Sequence, residues 1–71
     1  MVSYNKLWKK LVELKLNKKE FKEAIGIGST TITKLTRDEF VSMEVMMKIC
    51  LYLNCDIGDI MTFTFNKETK E

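Results

Sequence analysis

An all-α fold, a compact bundle of five short helices closed by a short extended C-terminal segment, is what the sequence predicts for residues 1–65. Three observations lead there. Apolar residues recur at three- and four-residue spacing through most of the chain, proline is absent, and there are only three glycines, a pattern unsuited to a sandwich or barrel. Seventy-one residues suffice for one domain, and ordering them costs on the order of 100 kcal/mol, so most apolar side chains must be buried. The closing Asn-Lys-Glu-Thr-Lys-Glu, residues 66–71, reads as a flexible tail.

Ser3 is the expected cap of a first helix reaching to about Lys15, with Tyr4, Leu7, Trp8, Leu11, Val12 and Leu14 at helical intervals. Trp8 and Tyr4 fall in register with the leucines and read as core or edge-of-core residues.

The stretch Asn17 to Arg37 organises the rest. Asn17 can accept from the first backbone N–H groups of a second helix, while Glu20, three residues on, reaches back to complete a capping box. Phe21 and Ile25 share the inward face, and Gly26 stops the helix where a left-handed backbone suits glycine. Ile27 plugs the turn, and Gly28 or Ser29 starts a third helix. In that helix Ile32 and Leu35 face inward, which turns Thr30, Thr33, Lys34 and Arg37 outward with Ser29 at the edge and Thr31 partly covered. Two helices joined by a short glycine-containing turn have the spacing of a helix-turn-helix, whose second helix enters the DNA major groove.

Ser42 caps a fourth helix with Glu44 in its first turn. Val45, Met46, Ile49, Cys50 and Leu53 form its buried stripe, with Met47 and Tyr52 at the margins; its methionines read as core filling. Asp56 caps a short fifth helix from Ile57 to about Met61, with Asp59 at the capping-box position. Met61-Thr62-Phe63-Thr64-Phe65 then alternates as a half-buried strand does. Phe63 and Phe65 either fold back onto the first helix or pair with the same segment of a second subunit, giving a homodimer through Met61–Phe65.

Charge is unevenly spread. Residues 1–17 and 18–37 each sum to +3, residues 38–65 to −4 and the tail to zero. The basic half coincides with the helix-turn-helix, the sidedness that one phosphate-facing surface requires. With no histidine, no nucleophile beside a base and no glycine-rich phosphate loop, the sequence does not read as an enzyme, and no cofactor is expected. Cys50 and Cys55 lack the further ligands of a zinc site and read as free thiols in a reducing cytoplasm. No run has the makings of a signal peptide or a membrane span, so a cytoplasmic protein without a membrane partner is expected.

The run E-F-K-E-A-I-G-I-G-S-T-T-I-T-K-L resembles the helix-turn-helix of the Cro and phage-repressor type, the XRE family, in its sequence of apolar residue, Gly, apolar residue, small cap and Ile-x-x-Leu helix. The later run V-S-M-E-V-M-M-K-I-C-L-Y-L-N-C-D-I-G-D-I is similar to the closing helices of small bacterial members. The resemblance implies a sequence-specific regulator of transcription, a repressor, with double-stranded DNA as partner, as a palindromic operator where the protein is a dimer. Ser29, Thr30 and Thr33 are the candidates for base contact, since short hydroxyl side chains can bond to either kind of base edge and a threonine methyl packs on that of thymine. Asn17, Lys18, Lys34 and Arg37 form the phosphate set. Two positions depart from the family. Lys22 stands where a small alanine is usual, so the helices either sit further apart or Lys22 snorkels. Lys18 stands where a glutamine often braces the recognition helix, so a phosphate role carries over to it and a positioning role does not. The rival reading is a protein-interaction module, an antirepressor, antitoxin or adaptor, on the same fold.

Overall fold

The computed structural model describes residues 1–65; the expected flexible tail, 66–71, lies outside the described residues. In chain order it comprises strand β1 (Val2–Ser3), helices α1 (Asn5–Glu13), α2 (Lys18–Ile25), α3 (Ser29–Thr36) and α4 (Met43–Leu53), a 3-10 helix at Ile57–Asp59 and strand β2 (Thr62–Phe63). The all-α class holds, with four α-helices where five were expected. The fifth is one tight turn: Asp56 accepts from the Ile57 N–H and Asp59 reaches back to the Asp56 N–H, but the backbone turns extended by Thr62, before a second turn can form.

The core is built from the inner faces of α2 and α3 and the elements that cover them. Leu7, Phe21, Leu35, Ile49 and Ile60 have no exposed surface, and Val2, Tyr4, Leu11 and Met46 are buried around them. Phe21 on α2 and Leu35 on α3 thus enter one apolar cluster, with Ile25 and Ile32 packed against it, as their spacing requires. The α1 stripe is narrower than expected. Val12 is 75% exposed because it sits about 100° round the helix from buried Leu11, and Leu14, beyond the last helical residue Glu13, is 54% exposed.

Ser3 does not begin α1. It belongs to β1, and Tyr4 takes the cap position, its N–H donating to Asp38 Oδ1 at 3.1 Å and its hydroxyl to the Glu39 carbonyl at 2.8 Å. These bonds tie the start of the chain to the segment after α3. Burial, and then the negative charge of Asp38, raise the Tyr4 pKa above its usual value, so the neutral hydroxyl is the form that the fold selects.

The alternating segment folds back within the chain. β2 pairs antiparallel with β1, Val2 opposite Phe63 and Ser3 opposite Thr62, and Met1 and Thr64 extend the ribbon by exchanging two 2.9 Å bonds. The cover is therefore the N-terminal strand and not the first helix. Two residues are too few for alternation to be visible in the sequence of β1.

All four helices end in the left-handed conformation, but glycine supplies only one of those residues, Gly26; Lys15, Asp38 and Asn54 supply the others. After α1, α3 and α4 the bonding is that of a Schellman motif. The 6→1 bonds run from Leu16 N–H to the Leu11 carbonyl, from Glu39 to Lys34 and from Cys55 to Cys50, and the 5→2 bonds from Lys15 to Val12, Asp38 to Leu35 and Asn54 to Leu51.

Candidate nucleic-acid interface

α2 begins on the expected capping box. Asn17 Oδ1 accepts from the Glu20 N–H at 2.7 Å, and Glu20 Oε1 accepts from the Asn17 N–H at 3.0 Å. This limits what Asn17 can offer a phosphate. Its side-chain carbonyl is engaged, leaving the amide NH2 as its donor, and the Glu20 carboxylate sits at the helix terminus expected to attract anions.

Gly26, at φ 73°, accepts no left-handed strain because it lacks a Cβ, and it lets the chain turn into α3. Gly28 is the residue before α3, and with no side chain it leaves the first N–H groups of that helix without a side-chain cap.

With Leu35 sealed in the core, Ser29, Thr30, Thr33, Lys34 and Arg37 are all exposed, and Thr31 is half-buried, as the helical spacing predicts. These five exposed residues and Glu39 line one shallow depression of about 320 Å³. Asn17 and Lys18 are exposed too but do not line it.

The hydroxyls of this face differ in what they have left to give. Thr33 Oγ1 donates to the Ser29 carbonyl at 2.9 Å, so it turns lone pairs and a methyl outward. Ser29 Oγ accepts from Lys22 Nζ at 3.2 Å and keeps its proton to donate. Thr30 has no side-chain hydrogen bond among the described residues and can do either. A donor, an acceptor and an ambivalent hydroxyl on one helix face match the mixed groups that base edges present in the major groove.

Two lysines act differently from expectation. Lys22 snorkels: the residue is half-buried, yet its ammonium reaches across the turn to Ser29, bringing a cation to the start of α3. Sequence reasoning left it out of the site, although its place seven residues before Ser29 was the available signal. Lys18 braces α3. Its ammonium lies 4.3 Å from the centre of the Trp8 ring and donates to Thr36 Oγ1 at 3.1 Å, while Thr36 Oγ1 donates to the Ile32 carbonyl at 2.9 Å. α1, α2 and α3 are thereby linked through one cation, the positioning role that the substitution of glutamine had been read as removing. Glu39, the other residue missed, is fixed by its backbone at both groups, its N–H to Lys34 and its carbonyl to Tyr4.

The model of the Cro/C1-type HTH DNA-binding domain matches residues 6–66. The chain belongs to that family. Among solved structures, this family member is similar to one described as the transcriptional regulator VanUg, with a TM-score of 0.83 and 51% identity over 86% of this chain and 81% of that one. No curated protein gives a significant match. Both α2 and α3, with the depression on α3, lie within the matched residues. Among the described residues no group of histidine, cysteine or acidic side chains is arranged to hold a metal ion, and no helix is long and apolar enough to cross a membrane.

Proposed function

We propose that this protein is a sequence-specific regulator of transcription, acting as a repressor in the cytoplasm, which lays α3 in the major groove of double-stranded DNA. One observation carries the reading: Ser29, Thr30, Thr33, Lys34 and Arg37 surround a single depression on a helix whose other face is locked into the core. Ser29, Thr30 and Thr33 contact base edges. Lys34 and Arg37 hold phosphates, joined at the edge of the interface by Asn17 and Lys18. Residues 1–65 form the binding unit. A relative that is a transcriptional regulator supports the regulatory role.

The protein acts as a homodimer through Met61–Phe65 on a palindromic operator, its two α3 helices about 34 Å apart. Support comes from the edge of β2. Because Met1 and Thr64 exchange both their bonds, the next pair, Val2 and Phe63, turns its backbone groups away from the ribbon. The exposed rings of Phe63 and Phe65 lie on that strand, and an apolar groove of about 410 Å³ lined by Phe40, Met43, Met46 and Phe63 adjoins it.

Selection of bound duplexes from a random pool, followed by fluorescence anisotropy across a salt series, tests the reading. An inverted repeat should be recovered, and Thr30→Ala and Thr33→Ala should each weaken its binding by about 1 kcal/mol without altering binding to random DNA. Lys34→Ala should instead reduce the log-log salt slope by about one. If both threonine variants bind unchanged while substitutions in Phe63 and Phe65 abolish all partner binding, the protein is an interaction module.

A further inference from the structure

The end of α4 holds the two cysteines of the chain in one turn. In the Schellman motif there, Cys50 supplies the carbonyl and Cys55 the N–H of the 3.0 Å 6→1 bond, and Asn54 takes the left-handed position at φ 56°. The residues in those two places are the ones whose side chains meet across such a turn. At the end of α1 the same places are filled by Leu11 and Leu16, an apolar pair packed on the core. At the end of α4 they are filled by two thiols, both free and both half-buried.

The backbone bond sets the spacing. With 3.0 Å between the Cys50 oxygen and the Cys55 nitrogen, ordinary bond lengths leave the two α-carbons no more than about 7 Å apart. A disulfide spans about 4.4–6.8 Å between α-carbons. Burial raises the Cys50 pKa most, followed by its neighbour Cys55 and the charges of Asp56 and Asp59.

We propose that Cys50 and Cys55 are a site of reversible oxidation, closing an intramolecular disulfide that staples the α4 C-terminus. The oxidant is a small-molecule disulfide of the glutathione class. The Cys55 thiolate attacks one sulfur of that disulfide and releases one thiolate, leaving Cys55 in a mixed disulfide. Cys50 then loses its proton to solvent and attacks the Cys55 sulfur, releasing the second thiol. Two protein thiols are oxidised and one disulfide is reduced to two thiols. Cys50 is suited to the second step, since burial and the neighbouring acids keep it protonated until Cys55 is activated beside it.

Incubation of the whole protein with oxidised glutathione, followed by intact mass, maleimide labelling and non-reducing electrophoresis, tests this. Wild type should lose the mass of two hydrogens, retain no glutathione, resist labelling and migrate as a single chain. Its thermal midpoint should rise by about 5 °C and return on reduction. Cys50→Ser should stop at one retained glutathione, and Cys55→Ser, left with only the protonated Cys50, should take up glutathione far more slowly. The effective concentration of one thiol for the other should be at least about tenfold higher in the folded protein than in guanidinium. Stable glutathione adducts on wild type, covalent dimers, or equal effective concentrations folded and unfolded would overturn the proposal. None of these outcomes bears on DNA binding, which is measured separately.

Discussion

α2 and α3 are adjacent, equally long at eight residues, and opposite at their N-termini. The first is closed: Asn17 and Glu20 satisfy each other's backbone donors, and the acid adds a negative charge where the helix dipole is positive. The second is open, preceded by Gly28, flanked by the Lys22 ammonium and faced with hydroxyls. A closed terminus contributes stability that the helix carries by itself. An open one leaves its donors and its dipole for something outside the chain, and α3 gets its stability from Leu35 and from the braces that Lys18 and Lys22 supply. Of the two, the helix expected to read DNA is the one whose N-terminal backbone donors are left uncapped by the fold.

The largest effect should come from making α3 resemble α2. Gly28 has extended backbone at φ −83° and ψ 170°, and a Cβ there would meet nothing within 4 Å, so a capping side chain fits without strain. Gly28→Asp should stabilise the protein by about 1 kcal/mol, since its carboxylate would accept from the open first turn and suit the dipole. The same carboxylate would face phosphates, and DNA binding should weaken by about 2 kcal/mol, roughly thirtyfold. Thermal melts and anisotropy on the same sample read the two changes. A variant that gained stability and kept full affinity would place the start of α3 away from DNA.

The capping box, the glycine turn and the inward pair Ile32 and Leu35 were legible because each is written within one turn of chain. Where the sequence misled, the deciding partner was distant. Asp38 adopts a left-handed backbone between Leu35 and Tyr4, whose N–H it accepts 34 residues away, and nothing near Asp38 announces that. β1 exists because Thr62–Phe63 lies beside it, and the apparent fifth helix ran out of chain before that strand. The candidate site shows the same division. The outward placement of Thr30 and Thr33 follows from a 3.6-residue period, whereas the Lys18 contact with Thr36 crosses from one helix to another, and substitution of a lysine for an amide gave no sign that the brace would persist. Of the two alternatives open for Lys22, wider helix spacing or snorkelling, its length permits the second and carries its charge to Ser29.

An intermediate effect is expected from opening α2. Asn17→Ala removes the acceptor for the Glu20 N–H and should cost about 1 kcal/mol of stability in a denaturant titration. It also removes the amide proposed to donate to phosphate, so affinity should fall by a few fold. Because one residue serves both purposes, that variant alone does not separate them.

Glu20→Gln separates them, with the smallest change of the set. Glutamine keeps an oxygen that can accept from the Asn17 N–H, so the reciprocal bonding survives, and stability should drop by only about 0.3 kcal/mol as the favourable charge at the helix start is lost. Binding should move the other way. With one negative charge fewer beside Asn17 and Lys18, DNA affinity at low salt should rise about twofold, and the gain should vanish as salt screens the phosphates. The sign is what matters here, because a general loosening of the fold would lower affinity and stability together. If affinity at low salt stays level while stability falls, the α2 terminus stands clear of the backbone, and phosphate contact narrows to the depression that Lys34 and Arg37 share on α3.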